Sequence, residues 1–152
     1  MIKLIRVDYR LLHGQVAVSW TSNLNIDAIL LVSDTLKKDK MRMQTIALAK
    51  PSGVKVVAKT TSEAIEQLRS GVTDKYSLLI VCETVAIAEK IINCTNFKEL
   101  NLGNVSFRKN TTKFSNSVYL NDQEAALIQE MINHGVNVFA QMIPDDTKHS
   151  FK

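Results

Sequence analysis

Short uninterrupted apolar runs along this chain alternate with longer stretches in which apolar residues recur every three or four positions. That is the pattern of βα units around a mainly parallel sheet. The runs at 2–8, 28–33, 54–58, 77–82 and 137–143 predict strands, and shorter ones fall at 100–102 and 118–120. Helical spacing predicts helices over 13–23, 37–50, 84–93 and 122–134, with a further one between residue 60 and Gly71. Pro51 and Gly53 close the second helix, as a proline and a glycine do just past a C-terminus. Thr60 and Ser62 offer N-cap hydroxyls, and Glu63 and Glu66 suit the dipole of the first turn that follows. The polar segment 107–117 reads as a loop or an irregular hairpin. The fold class expected is α/β: one domain over 1–152, an open, mainly parallel, twisted sheet with helices on both faces.

Composition narrows the functional classes. With 152 residues, 45% hydrophobic and 22% charged, the chain has the make-up of an ordinary globular domain with a real core. Its longest apolar runs are strand-sized, far short of the ~20 residues of a membrane span. Charges at Lys3, Arg6, Asp8 and Arg10 interrupt any apolar leader segment, so the expected location is the cytoplasm, with no direct membrane insertion. Cys82 and Cys94 have no CxxC spacing and read as small apolar core fillers. The net charge of +4 is modest, and the Lys37, Lys38 and Lys40 cluster has no interleaved aromatic, which argues against nucleic acid as a partner.

Open parallel sheets bind ligands beyond the carboxyl ends of their strands, where loops meet helix N-termini. Of the loops so placed, the one at 8–14 combines an ionisable nucleophile (His13), a fixed cation (Arg10), a carboxylate (Asp8) and a glycine (Gly14). His134 stands beside a helix-terminating glycine and His149 in a polar tail, where neither suggests chemistry. An imidazole partly neutral near pH 7 keeps a lone pair for in-line attack on phosphorus. A guanidinium and helix-start amides, here those of Gly14 and Gln15, would stabilise the anion so formed without bonding to it covalently. Asp8 is expected either to hold Arg10 or the ring, or to bond nearby backbone amides as a strand-terminal residue. Asp34, after the second strand, is a candidate for the site periphery, and Asp145 lies in the loop after the last strand; the sequence leaves open whether either reaches the site.

Other chemistries lack their residues. One histidine and one carboxylate do not make a zinc site, so no metal is expected. No GxxxxGK[ST], GxGxxG or GxSxG occurs, so neither nucleotide binding nor a serine hydrolase is indicated, and no cofactor is expected.

The stretch RVDYRLLHGQV, Arg6–Val16, resembles the signature of the IIB components of the mannose/fructose/sorbose family of the bacterial phosphoenolpyruvate-dependent sugar phosphotransferase system. Supporting likenesses are Trp20, the VSD at 32–34, the P-x-GVK at 51–55, LNLGNVSFRK at 100–109, and the last strand leading to Pro144 and Asp145. The resemblance implies a phosphocarrier. His13 would take a phosphoryl group, on Nδ1, from a IIA phosphohistidine and pass it to a sugar imported by membrane-embedded IIC and IID subunits. Arg10 would help bind the phosphate, and Trp20 is expected to pack on the first helix. The sequence departs from the pattern at Tyr9, where the family usually has a second aspartate, and at Asn104, where many members have glycine. The GN form at Gly103–Asn104 is associated with amino-sugar branches. The competing reading is a non-catalytic regulatory or anion-binding module on the same scaffold.

Overall fold

The computed structural model describes residues 1–151. In chain order it runs β1 (Ile2–Asp8), α1 (Gly14–Leu24), β2 (Ala28–Val32), α2 (Lys40–Ala49), β3 (Lys55–Lys59), α3 (Thr61–Ser70), β4 (Leu78–Cys82) and α4 (Val85–Asn93). Then follow β5 (Glu99–Asn104), β6 (Thr112–Ser115), β7 (Val118–Leu120), α5 (Asp122–Asn133), β8 (Asn137–Ala140) and β9 (His149–Ser150). Seven strands form one sheet in the order β3-β2-β4-β1-β5-β8-β9, parallel except for β9, and β6 and β7 pair as a separate antiparallel hairpin. The expected α/β fold class is the observed one.

Every residue of β2 and of β4 is buried, as befits parallel strands covered on both faces. β1, between β4 and β5, is apolar at Ile5 and Val7 on one face and at Leu4 on the other. Ile5 and Val7 pack with Ala64 of α3, Val85, Ala88 and Ile91 of α4, and Ile128 of α5. Leu4 packs with Ala17 and Trp20 of α1 and Ile46 of α2. Right-handed crossovers explain this division, because α1 and α2 carry the chain across the sheet in one direction and α3, α4 and α5 in the other. The helix after β1 therefore lies on the face opposite the helices that follow both of its neighbours, which makes β1 the switch point of the sheet.

Period-two alternation puts Arg6 and Asp8 on the same face as Leu4. Two charged side chains thus point from a central strand into the interior.

Three local differences from the sequence reading have physical causes. The helix expected over 37–50 is divided: Leu36–Lys38 is a 3-10 turn, and Asp39 starts α2 anew by accepting from the Arg42 amide at 3.1 Å. The last parallel strand stops at Ala140 rather than 143, because the Gln141 side chain turns the chain by donating to the carbonyls of Pro144 and Asp146. His149, expected in a tail, lies in β9 against Ala140 with its ring centroid 4.6 Å from that of Phe114. Both cysteines are free thiols, but only Cys82 fills the core as expected; Cys94 is partly buried at the end of α4, where its thiol donates to the Ile91 carbonyl at 3.2 Å, and burial pushes Cys82 far above its ordinary pKa and raises Cys94 as well. His134 caps its helix as expected, with Nδ1 2.8 Å from the Glu130 carbonyl.

Candidate functional site

The loop between β1 and α1 is held at both ends and bent in the middle. Leu11 and Leu12 are 3% and 4% exposed and belong to the core layer that contains Trp20. Burying each stabilises the loop by roughly 1.5–3 kcal/mol. Leu11 takes the left-handed conformation, φ +64°, and its amide donates to the Asp8 carbonyl at 2.9 Å. Such a conformation costs a side-chain-bearing residue about 1–2 kcal/mol, which the leucine burial offsets. The apolar pair before the histidine is therefore an anchor that turns the next residue outward.

His13 is the N-cap of α1, exposed, with extended backbone (φ −130°, ψ 117°) and no capping bond from its side chain. The first amide of the helix to find an acceptor is that of Ala17, which donates to the His13 carbonyl at 2.9 Å. Those of Gly14, Gln15 and Val16 have no partner among the described residues, as expected of a first turn whose N-cap side chain points away. They constitute a small positive pole beside the imidazole. A Cβ added at Gly14 would meet no protein atom within 4 Å, so the glycine leaves open space at this helix start.

Behind the loop lies a buried charge network. Asp8, 1% exposed, is shared by two arginines: Arg6 Nη2 approaches its Oδ2 at 3.3 Å, and Arg10 Nε its Oδ1 at 3.3 Å. The Arg10 amide also donates to Asp8 Oδ1, at 3.0 Å, so both expected roles of Asp8 are realised together. Among the described residues no other carboxylate is in ion-pair reach of either guanidinium.

Arg6 is 2% exposed and donates through Nη1 to Asn101 Oδ1 (2.6 Å) and to the Gln141 carbonyl (3.0 Å). Its guanidinium lies 5.6 Å from the centre of the Trp20 ring, whose Nε1 donates to the Met142 carbonyl at 3.0 Å. Burial pulls its pKa down to about 10 although Asp8 opposes the shift. Gly103 makes this packing sterically feasible: a Cβ there would stand 2.1 Å from Arg6 Cζ.

Arg10 is a quarter exposed. With the Asn104 amide oriented to satisfy both its ends, Oδ1 accepts from Arg10 Nε (3.0 Å) and Nη2 (2.8 Å), and Nδ2 donates to the Ser117 carbonyl (3.2 Å). Asn104, read in the sequence only as a departure from a motif, thus engages the same Nε and Nη2 edge of Arg10 that faces Asp8. Arg6, Asn101, Gly103 and Gln141 were not candidates at all, because a buried arginine in a strand and a glycine in an apolar run carry no spacing signal.

The remaining candidates divide. Asp34 is exposed, but its carboxylate accepts from the amide (2.8 Å) and hydroxyl (3.0 Å) of Thr61, which ties it to the start of α3. Asp145 is exposed beside Pro144, in a cleft against Ser19, Ser22 and Asn23 in the C-terminal half of α1. Tyr9 is 43% exposed, with its amide donating to the Asn104 carbonyl at 3.0 Å. Trp20 is buried packing, as expected, and also hydrogen-bonds across to the loop after β8.

The fold is shared with solved structures. The N-acetylgalactosamine-specific IIB component 1 of the phosphotransferase system from Escherichia coli superposes with a TM-score of 0.91 at 27% identity, over 100% of both chains. In sequence, the chain is 29% identical over 149 residues to the E. coli K12 protein of that description, covering 97% of this chain and 94% of that one. It is 32% identical over 155 residues to a probable phosphotransferase enzyme IIB component of Streptococcus pyogenes serotype M6, with 97% and 95% covered. The family described as "PTS system sorbose subfamily IIB component" matches residues 2–152. The chain belongs to that family: it is a IIB component of a sugar phosphotransferase system. Among the described residues no helix is long and apolar enough to cross a membrane.

Proposed function

We propose that this chain is the phosphocarrier between a IIA component and an imported sugar, with His13 as the residue loaded and unloaded. The carrying observation is the exposed His13 ring, with no hydrogen bond among the described residues, at a helix start whose first three amides have no partner among them either, three residues from an arginine that is a quarter exposed. In the loading step the imidazole nitrogen forms a bond to phosphorus as the donor histidine's N–P bond breaks. In the unloading step a sugar hydroxyl takes the phosphoryl group and loses its proton, and the imidazole is regenerated. Arg10 and the amides of Gly14 and Gln15 stabilise the added charge, and Asp8 keeps Arg10 in place. The partners are then a IIA component, the IIC and IID membrane subunits and their sugar, and the location cytoplasmic. The reaction class is that of a protein-phosphohistidine–sugar phosphotransferase.

Incubation with phosphoenolpyruvate, the general phosphotransferase proteins and a IIA component is expected to add one acid-labile phosphoryl group, seen by mass spectrometry. His13→Ala is expected to abolish it without loss of fold. A module that only docks an anion would gain nothing, and labelling of His13→Ala at the wild-type rate would reject the assignment.

A further inference from the structure

The Arg6–Asp8–Arg10 network has an imbalance that packing alone does not require. Two guanidiniums share one carboxylate, leaving a surplus of one positive charge, and the surplus is not solvated uniformly: Asp8 and Arg6 are buried, and Arg10 alone is open. A buried cation is costly unless paired, so Arg6 draws on Asp8, and Arg10 in the loop beyond the strand is left short of an anion. On the proposed function that anion is the phosphoryl group. We propose that Arg6 is the positioning residue of phosphoryl transfer. By drawing on Asp8 from the interior it prevents Asp8 from neutralising Arg10, so that Arg10 presents an uncancelled charge to the anion on His13.

The geometry fits a residue built to act through another. Arg6 is fixed on every side, by Asn101 Oδ1, the Gln141 carbonyl, the Trp20 ring and the bare backbone of Gly103, so its charge cannot reach the loop itself. It meets Asp8 through one oxygen, Oδ2, which it shares with Arg10 Nη2 (3.4 Å), while Oδ1 takes the amide and Nε of Arg10. Without Arg6, Asp8 and Arg10 would form a one-to-one pair of no net charge, and the phosphoryl group would face a screened guanidinium.

The proposal rests on His13 being the phosphoryl acceptor, and the test separates the two. Wild type, Arg6→Gln and the double variant Arg6→Gln/Asp8→Asn are compared for rate of labelling by a phosphorylated IIA component, after normalising to folded protein by thermal unfolding. Glutamine still donates to the interior acceptors, and asparagine still accepts from the Arg10 amide, so the double variant restores the surplus of one charge. Arg6→Gln is expected to lower kcat roughly 100-fold, with KM for the donor within about threefold. The double variant is expected to recover at least about tenfold of that loss. If it is as slow as Arg6→Gln, or if Arg6→Gln loses only thermal stability, Arg6 is structural and the proposal falls. If wild type is not labelled, the proposed function itself falls.

Should Arg6→Gln not fold, the wild-type protein decides. Guanidinium 15N spectra are expected to move at Arg10 on phosphorylation and to stay in place at Arg6. A shift at Arg6 as large as that at Arg10 would make Arg6 a phosphate ligand and overturn the positioning role.

Discussion

Two arginine–carboxylate clusters stand at the carboxyl edge of the same sheet. At the end of β4, Glu83 is saturated: Oε2 accepts from Arg42 Nη2 at 2.7 Å and Oε1 from the Ser33 hydroxyl at 2.7 Å, one cation to one anion. At the end of β1, Asp8 serves two cations, and the helix start beyond it keeps free amides. The same residue types at neighbouring strand ends thus build a closed device and an open one. Position at the carboxyl edge does not separate the two clusters; unbalanced charge beside unpartnered donors does.

The largest expected contrast is in stability. Asp8→Ala leaves Arg6 buried without an anion, and a loss of about 3–5 kcal/mol is expected in urea unfolding. Glu83→Ala, whose partner Arg42 is a third exposed, is expected to cost about 1 kcal/mol. Equal losses would dissolve the distinction between the clusters.

Next comes activity. Arg10→Ala is expected to slow phosphoryl transfer by about 100-fold or more, and Arg42→Ala to leave the rate within about twofold, both read from labelling time courses. A comparable defect in Arg42→Ala would show that the β4 end also belongs to the site.

Sterics give a smaller effect. Gly103→Ala forces its Cβ against Arg6, with an expected cost of about 1–3 kcal/mol. Gly14→Ala meets no protein atom and is expected to leave unfolding unchanged while slowing transfer, so the pair of alanines separates a glycine needed by the fold from one proposed to serve the ligand.

The smallest effect concerns an exposed pair that resembles neither cluster. Glu63 is held down to about 2, first by the Thr60 amide it caps and then by Lys37. A depressed carboxylate contributes stability that is complete above its ordinary value and lost as pH falls through the folded one. Amide exchange at the start of α3, relative to its intrinsic rate, is expected to rise progressively as pH falls from the ordinary carboxylate range toward 2, and an ordinary Glu63 titration in NMR would remove the cap from the account.

The elements of the fold were legible because each obeys a local rule. α3 and α5 begin at capping boxes, Thr60 with Glu63 and Asn121 with Glu124, and Gly71 ends α3 in the left-handed conformation. β9 was not legible, since two residues pairing with Ala140 and Phe139 depend on where the sheet edge happens to lie. At the site, His13, Arg10 and Asp8 share one loop and were readable as a group. The residues that hold Arg10 come from β5 and from the turn after β8, Asn104 and Met142, the latter 132 positions away, and contact at that range leaves no trace in spacing. Leu11 was the least expected, because a left-handed bend normally announces itself as glycine or asparagine.

If the proposed function holds, that leucine has a consequence for a shuttle that would meet two partners in turn. A glycine hinge would let the loop sample many shapes, and each encounter would have to freeze one of them out. A leucine forced into the bend by its own burial gives the loop a single resting shape, so both the loading and the unloading complex find the imidazole already presented. Speed in each direction is then set by docking and by the chemistry at phosphorus.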